Sequence, residues 1–220
     1  MDLWHELKSG DVVDINQLPD DYVYYSSPIF SGDSFYISST TTNAAAIVGK
    51  GLVHSVGINN NKENWRIPTT DMMFISPYVF DDLVVFIKKQ YLIAVRKNTG
   101  NELWNYKFKK DRHEEDEMSK MINNENTILE IKKTANILLI EISTGIYSDP
   151  EIHALNLLTG ELVWKKTDLN MFSSTMDVLN NEIIVASNSG YFIFLDPKAG
   201  TETNKIPIPD WSKYSEHAFR

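Results

Sequence analysis

Leu158-Thr159-Gly160-Glu161-Leu162-Val163-Trp164 reads as a tight reversal running into a strand that carries a tryptophan, and the pattern recurs along the chain. Asn98-Thr99-Gly100-Asn101-Glu102-Leu103-Trp104 repeats it. Asn59-Asn60-Asn61-Lys62-Glu63-Asn64-Trp65 repeats it with asparagine in the glycine's place, and Ala199-Gly200-Thr201-Glu202-Thr203-Asn204 keeps the turn but ends on Asn204. In each case the aromatic, or its substitute, follows the turn residue Asn61, Gly100, Gly160 or Gly200 by four positions. A tight hairpin needs one residue at positive φ, which glycine adopts freely and asparagine tolerates better than other residues.

Upstream of each turn lies a short strand with a small or apolar centre: His54-Ser55-Val56, Ile93-Ala94-Val95, His153-Ala154-Leu155 and Ile193-Phe194-Leu195. Further upstream a second hairpin recurs, with Ser27-Pro28-Ile29-Phe30 leading into Gly32-Asp33, Ser76-Pro77-Tyr78-Val79 into Asp81-Asp82, and Ser174-Thr175-Met176 into Asn180-Asn181. Ile128 to Ile142 supplies the remaining copy, with its turn at Ala135-Asn136. The runs between turns, such as Leu83 to Ile87 and Ile137 to Ile142, are short, β-branched and aromatic, which is strand chemistry. The chain therefore reads as all-β, in four units of four strands joined by hairpins, and a four-stranded unit at this period is a β-propeller blade.

The combination of Ser-Pro-apolar, short turn, apolar strand, x-Ala-apolar and Thr-Gly-x-x-x-Trp resembles the PQQ-like (quinoprotein-type) propeller repeat, most closely at Thr99-Gly100 with Trp104 and Thr159-Gly160 with Trp164. The resemblance covers roughly residues 22–208. It implies blades at about 22–68, 72–108, 126–168 and 172–208, with Trp65, Trp104 and Trp164 buried between neighbouring blades as packing residues. Four blades are expected either to close a small ring, with residues 1–21 (Leu3-Trp4-His5-Glu6-Leu7) adding a strand that clasps it, or to form an open half-ring that oligomerises. The spacing from Trp104 to Trp164 is 60 residues against 39 from Trp65 to Trp104, so residues 109–121 are expected to be a charged insertion. Quinone-binding relatives need a calcium site, an aspartate base and a full ring; these residues do not supply that set, and no cofactor is expected.

Composition narrows the function classes. The 220 residues carry 21 Lys+Arg and 30 Asp+Glu, a net charge of −9, which argues against nucleic acid as a partner. There is no cysteine, which excludes disulfides, thiolate metal sites and a cysteine nucleophile. The N-terminus shows no secretory signal and no run reaches the ~18 apolar residues of a membrane span, so a cytoplasmic protein is expected.

His54 and His153 share a repeat position, but their placement on third strands of separate units predicts core histidines rather than a shared metal. No catalytic set and no metal site are predicted. Partner contacts are expected at Tyr22 and Tyr24, beside Asp20-Asp21, and in the acidic run Glu114-Glu115-Asp116-Glu117. Together these readings predict a non-catalytic, protein-binding bacterial propeller, most concretely a cytoplasmic immunity-type inhibitor that occludes a basic toxin. The alternatives are a scaffold similar to the propeller of outer-membrane barrel assembly, or a PQQ-like enzyme or ligand-binding fragment.

Overall fold

The β-branched runs form strands throughout, and every strand pairing is antiparallel. A computed structural model describes residues 25–40, 51–69, 75–108, 128–143, 149–171 and 175–211 in full, and the backbone of 4–6, 12–14, 24 and 127. Strands β1 (Trp4–Glu6) and β2 (Val12–Asp14), where a ring-closing strand is expected from the sequence, pair with each other as a ribbon.

The first blade comprises β3 (Tyr24–Tyr25), β4 (Ile29–Ser31), β5 (Ser34–Thr40), β6 (Gly51–Gly57) and β7 (Glu63–Thr69). Its innermost strand is split, because β3 and β4 both pair with β5. Ser26 spans the break: its N–H donates to the Ser38 carbonyl at 2.8 Å and its Oγ accepts the Ser38 N–H at 3.0 Å. The second blade is β8 (Tyr78–Phe80), β9 (Leu83–Lys88), β10 (Tyr91–Arg96) and β11 (Glu102–Lys107). The third is β12 (Thr127–Thr134), β13 (Ile137–Ser143), β14 (Glu151–Asn156) and β15 (Leu162–Lys166), and the fourth is β16 (Asp177–Leu179), β17 (Glu182–Ser187), β18 (Tyr191–Leu195) and β19 (Glu202–Pro207). Every named element among the described residues is a strand.

By its contacts the chain divides into two compact units, residues 1–108 and 109–220. In the first unit the first two blades enclose Tyr36, Val53 and Trp65 from one sheet and Val84, Phe86, Ile93 and Val95 from the other. In the second, Leu139, Ile152 and Ala154 of the third blade meet Ile183, Val185, Ile193 and Leu195 of the fourth. Alternate residues on each strand build these cores, as the period of two requires.

The last hairpin of every blade has one construction. The N–H before the loop and the carbonyl after it pair at 2.8–2.9 Å, from Gly57 to Lys62, Arg96 to Asn101, Asn156 to Glu161 and Asp196 to Thr201. Gly100, Gly160 and Gly200 sit at φ of 70°, 71° and 66°, and Asn61 adopts 53° in their place. The threonine of Thr-Gly closes the turn as an acceptor: Thr99 Oγ1 takes the Asn101 N–H and Thr159 Oγ1 the Glu161 N–H. A β-bulge follows in all four blades, setting Trp65 opposite Ser55, Trp104 opposite Ala94 and Trp164 opposite Ala154. In the fourth blade the sizes are exchanged, with Asn204 opposite Phe194.

Candidate interaction face

The repeated tryptophans are packing residues with a polar tether. Trp65 leaves the first blade and lies against Gly100 in the last turn of the second, where a Cβ would stand 2.9 Å from its Cγ and Cδ2. Its indole Nε1–H donates to the Lys97 carbonyl at 2.8 Å. Trp164 repeats the arrangement in the second unit, lying against Gly200 and donating to the Pro197 carbonyl at 2.7 Å. In both, the accepting carbonyl precedes the glycine by three residues, so glycine is needed twice over: for positive φ and for the approach of the ring. Trp104 is 6% exposed. Trp211, which the repeat does not predict, covers Gly190 in the same manner, its Cδ1 and Cγ occupying the place of a Cβ.

The paired histidines are held by protein groups. His54, fully buried, lies between Ser39 Oγ (2.7 Å from Nε2) and Glu63 Oε2 (3.0 Å from Nδ1), and Glu63 also takes the Arg66 Nε–H. The tautomer that serves both bonds is Nδ1–H donating to Glu63 with Nε2 accepting from Ser39. His153 Nε2 lies 3.0 Å from Glu151 Oε2, which also meets Lys165 Nζ at 2.6 Å. His54 faces Arg66 across the strands and His153 faces Lys165, so the same trio of imidazole, carboxylate and cation forms in both blades with the carboxylate drawn from different strands. Burial lowers both histidine pKa values against the pull of their glutamates. Burial raises the Glu151 carboxyl, but bonds from Lys165 and His153 outweigh it and hold the group below the usual carboxylate range. Among the described residues no three His, Asp or Glu side chains are grouped to hold a metal, and no helix is long and apolar enough to cross a membrane.

The fourth blade presents a different surface. Its core-facing residues Ile183, Val185 and Leu195 are inaccessible, as the register demands. The alternate residues are also apolar: Leu179, Ile184, Ala186, Phe192, Phe194 and Ile206 fall on the other face through the pairs Ile184–Phe194, Ala186–Phe192 and Phe192–Ile206. This face is open, with Leu179 57%, Ile206 44% and Phe192 37% exposed. Asn204 lies in its middle, where the other blades bury an indole. Glu182, bonded to Thr203 Oγ1 at 2.9 Å, and the exposed Asp177 stand on it. Lys205 lies on the opposite side of β19, its Nζ 4.3 Å above the Tyr191 ring, while Lys132 Nζ of the third blade lies 3.7 Å from Asp177 Oδ1, so the fringe of the apolar face holds Glu182 and an Asp177–Lys132 pair.

Of the contact residues expected from sequence, Tyr24 alone falls among the described residues. Tyr22, Glu114, Glu115, Asp116 and Glu117 lie outside the described residues, as do residues 109–121 as a whole. Tyr24 is described by its backbone, which pairs with Thr40. The open face was legible only in part: Phe192-Ile193-Phe194-Leu195, apolar on both faces, is the signal of a strand with two sides to cover.

No protein-family model matches the sequence, and no curated protein matches it in sequence. Solved structures match in three dimensions. A europium-containing methanol dehydrogenase aligns over 84% of this chain at 11% identity and TM-score 0.58, and the quinohemoprotein alcohol dehydrogenase of Comamonas testosteroni over 83% at 13% and 0.55. A chain of a mitotic checkpoint complex aligns over 91% at 11% and 0.53. The chain spans 41% of the first, 35% of the second and 56% of the third. At these identities the likeness carries fold alone, and with the four sheets it gives this chain the architecture of a β-propeller in four four-stranded antiparallel blades.

Proposed function

We propose that the chain is a non-catalytic, protein-binding propeller whose partner seats on the open face of the fourth blade. The observation that carries this reading is that Leu179, Phe192 and Ile206 remain exposed on a sheet face whose opposite side buries Ile183, Val185 and Leu195. Apolar, aromatic surface of this kind supplies interface energy, and Glu182 at its fringe, with the acidic balance of the whole chain, favours a partner whose apolar patch is set among lysines and arginines. The net charge of −9 disfavours a second copy of the chain as that partner and speeds encounter with a basic one. The most concrete form of the proposal is an immunity-type inhibitor that covers the working surface of a basic toxin in the bacterial cytoplasm.

Affinity capture with mass spectrometry from the native organism, run with the wild type and with a Phe192→Glu/Ile206→Glu variant, tests the reading. A basic protein retained by the wild type and lost by the folded variant is expected. The same basic protein retained equally by both would place its contact elsewhere and overturn the proposal.

A further inference from the structure

In the first and third blades the tether position carries an N–H that bonds outside its own sheet. Trp65 and Trp164 donate their indole Nε1–H to the backbone carbonyls of Lys97 and Pro197, at 2.8 and 2.7 Å, in the last turn of the blade that follows. Asn204 holds the same position in the fourth blade, opposite Phe194 as Trp65 is opposite Ser55 and Trp164 opposite Ala154. It is a shorter side chain that keeps the same kind of donor. Its Oδ1 accepts the Lys205 N–H at 2.8 Å, so the oxygen end of the amide is occupied and Nδ2–H2 is the end that needs an acceptor. Asn204 makes no other bond among the described residues, and it is exposed.

Phe194 across from it, Ile206 two residues along and Phe192 on the diagonal make the surroundings of this amide apolar. In the free protein water satisfies its two N–H groups. A partner that covers the face removes that water, and an N–H buried there without an acceptor cancels much of what the apolar contact gains. The face therefore discriminates: it penalises a partner that is apolar alone and accepts one that places an acceptor opposite Asn204. Charge narrows the acceptor's chemistry. A carboxylate would meet Glu182 on the same face and a chain of net charge −9, whereas a neutral carbonyl meets no such repulsion. A neutral backbone carbonyl is also what accepts from Trp65 and from Trp164. The amide has a shorter arm than the indole, so its acceptor must come closer to the sheet than the turn of a following blade does.

We propose that Asn204 is the specificity-determining residue of the fourth-blade face, donating its Nδ2–H to a backbone carbonyl oxygen of the partner protein. This rests on the reading that the face binds protein.

The probe is the basic protein that the wild type retains in the capture described above, purified and titrated against the wild type and its variants at low and high ionic strength. Asn204→Asp keeps an oxygen to cap the Lys205 N–H, removes the donor and adds a negative charge, so its two effects on a basic probe have opposite signs. If a carbonyl accepts from Asn204, Asn204→Asp binds about 10–100-fold more weakly at high ionic strength, where the added attraction is screened. Asn204→Gln, which keeps the amide, retains more of the affinity. Equal or tighter binding by Asn204→Asp at high ionic strength overturns the proposal. Should Phe192→Glu/Ile206→Glu lose the probe while Asn204→Asp keeps it, the face stands as a binding surface and the role of Asn204 falls. If the wild type retains no basic protein, or forms a dimer that Phe192→Glu/Ile206→Glu dissolves, both readings fall. One further measurement needs no variant: the Asn204 side-chain amide protons are expected to be protected from solvent exchange in the wild-type complex, and free exchange there also overturns the proposal.

Discussion

Replacing Gly100 with alanine tests the interblade tether most directly, and Gly32 supplies the control within the same unit. Gly32 has φ of 62° with nothing within 4 Å of a built Cβ, so Gly32→Ala carries only the backbone cost of left-handed conformation, about 1 kcal/mol. Gly100→Ala carries that same cost at φ of 70° and adds a methyl 2.9 Å from Trp65 Cγ and Cδ2. Carbon atoms rest near 3.5–4.0 Å, so the ring must recede by roughly 0.6–1 Å. A shift of that size stretches the 2.8 Å bond from Nε1 to the Lys97 carbonyl past useful length and presses the indole toward Tyr36, whose ring centroid lies 6.0 Å away. Overpacking adds about 1–3 kcal/mol and the lost hydrogen bond about 1 kcal/mol. Gly100→Ala should therefore cost about 2 kcal/mol or more beyond Gly32→Ala, read as the difference in urea midpoints followed by tryptophan fluorescence. Equal midpoints for the two variants would refute the claim that the ring depends on that glycine's missing side chain.

Two further outcomes follow from the same geometry. His54 and His153 have folded pKa values below the unfolded value of about 6.5, so the unfolded chain binds protons first as pH falls. Their contribution to stability is complete above pH ~6.5 and declines below it by up to about 1.4 kcal/mol per pH unit per histidine until the folded imidazole titrates. Glu151 adds a loss of the same sign at lower pH. Urea midpoints between pH 7 and 5 should fall more steeply for the wild type than for His153→Gln, and parallel slopes would contradict it. Finally, Phe194→Ala should destabilise by roughly 1–3 kcal/mol, less than a fully buried phenylalanine because its face is open. Asn204→Trp in that background should recover part of the loss, a coupling that a double-mutant cycle measures.

What could be read from the sequence is what local chemistry repeats. The turn residues at Asn61, Gly100, Gly160 and Gly200 demand positive φ wherever they occur, and a tryptophan four residues later is conspicuous in any context, so the all-β blade pattern was legible. The exchange of Phe194 and Asn204 was written in the same alignment, since phenylalanine stands where Ser55, Ala94 and Ala154 stand elsewhere, but opposition across a bulge is visible only once the register is known. Trp211 lacks a repeat to announce it. The open face was hidden for a different reason: periodicity says that Phe192 and Phe194 share a side, not whether anything covers it. The charge at Glu114–Glu117 attracts notice in a sequence because acidic runs are easy to see, whereas an apolar patch assembled from four strands is dispersed along the chain.

The indole tether has a consequence for how such a chain can lengthen or shorten. Donor and acceptor reside on consecutive blades, Trp65 with Lys97 in one unit and Trp164 with Pro197 in the other, so neither half of the clasp is self-sufficient. A fragment cut between β7 and β8, or between β15 and β16, would strand a large ring in water and bare the groove it occupied. Duplication or truncation that keeps a donor sheet with the sheet that accepts from it conserves the bond, while a break between the two leaves a sticky end.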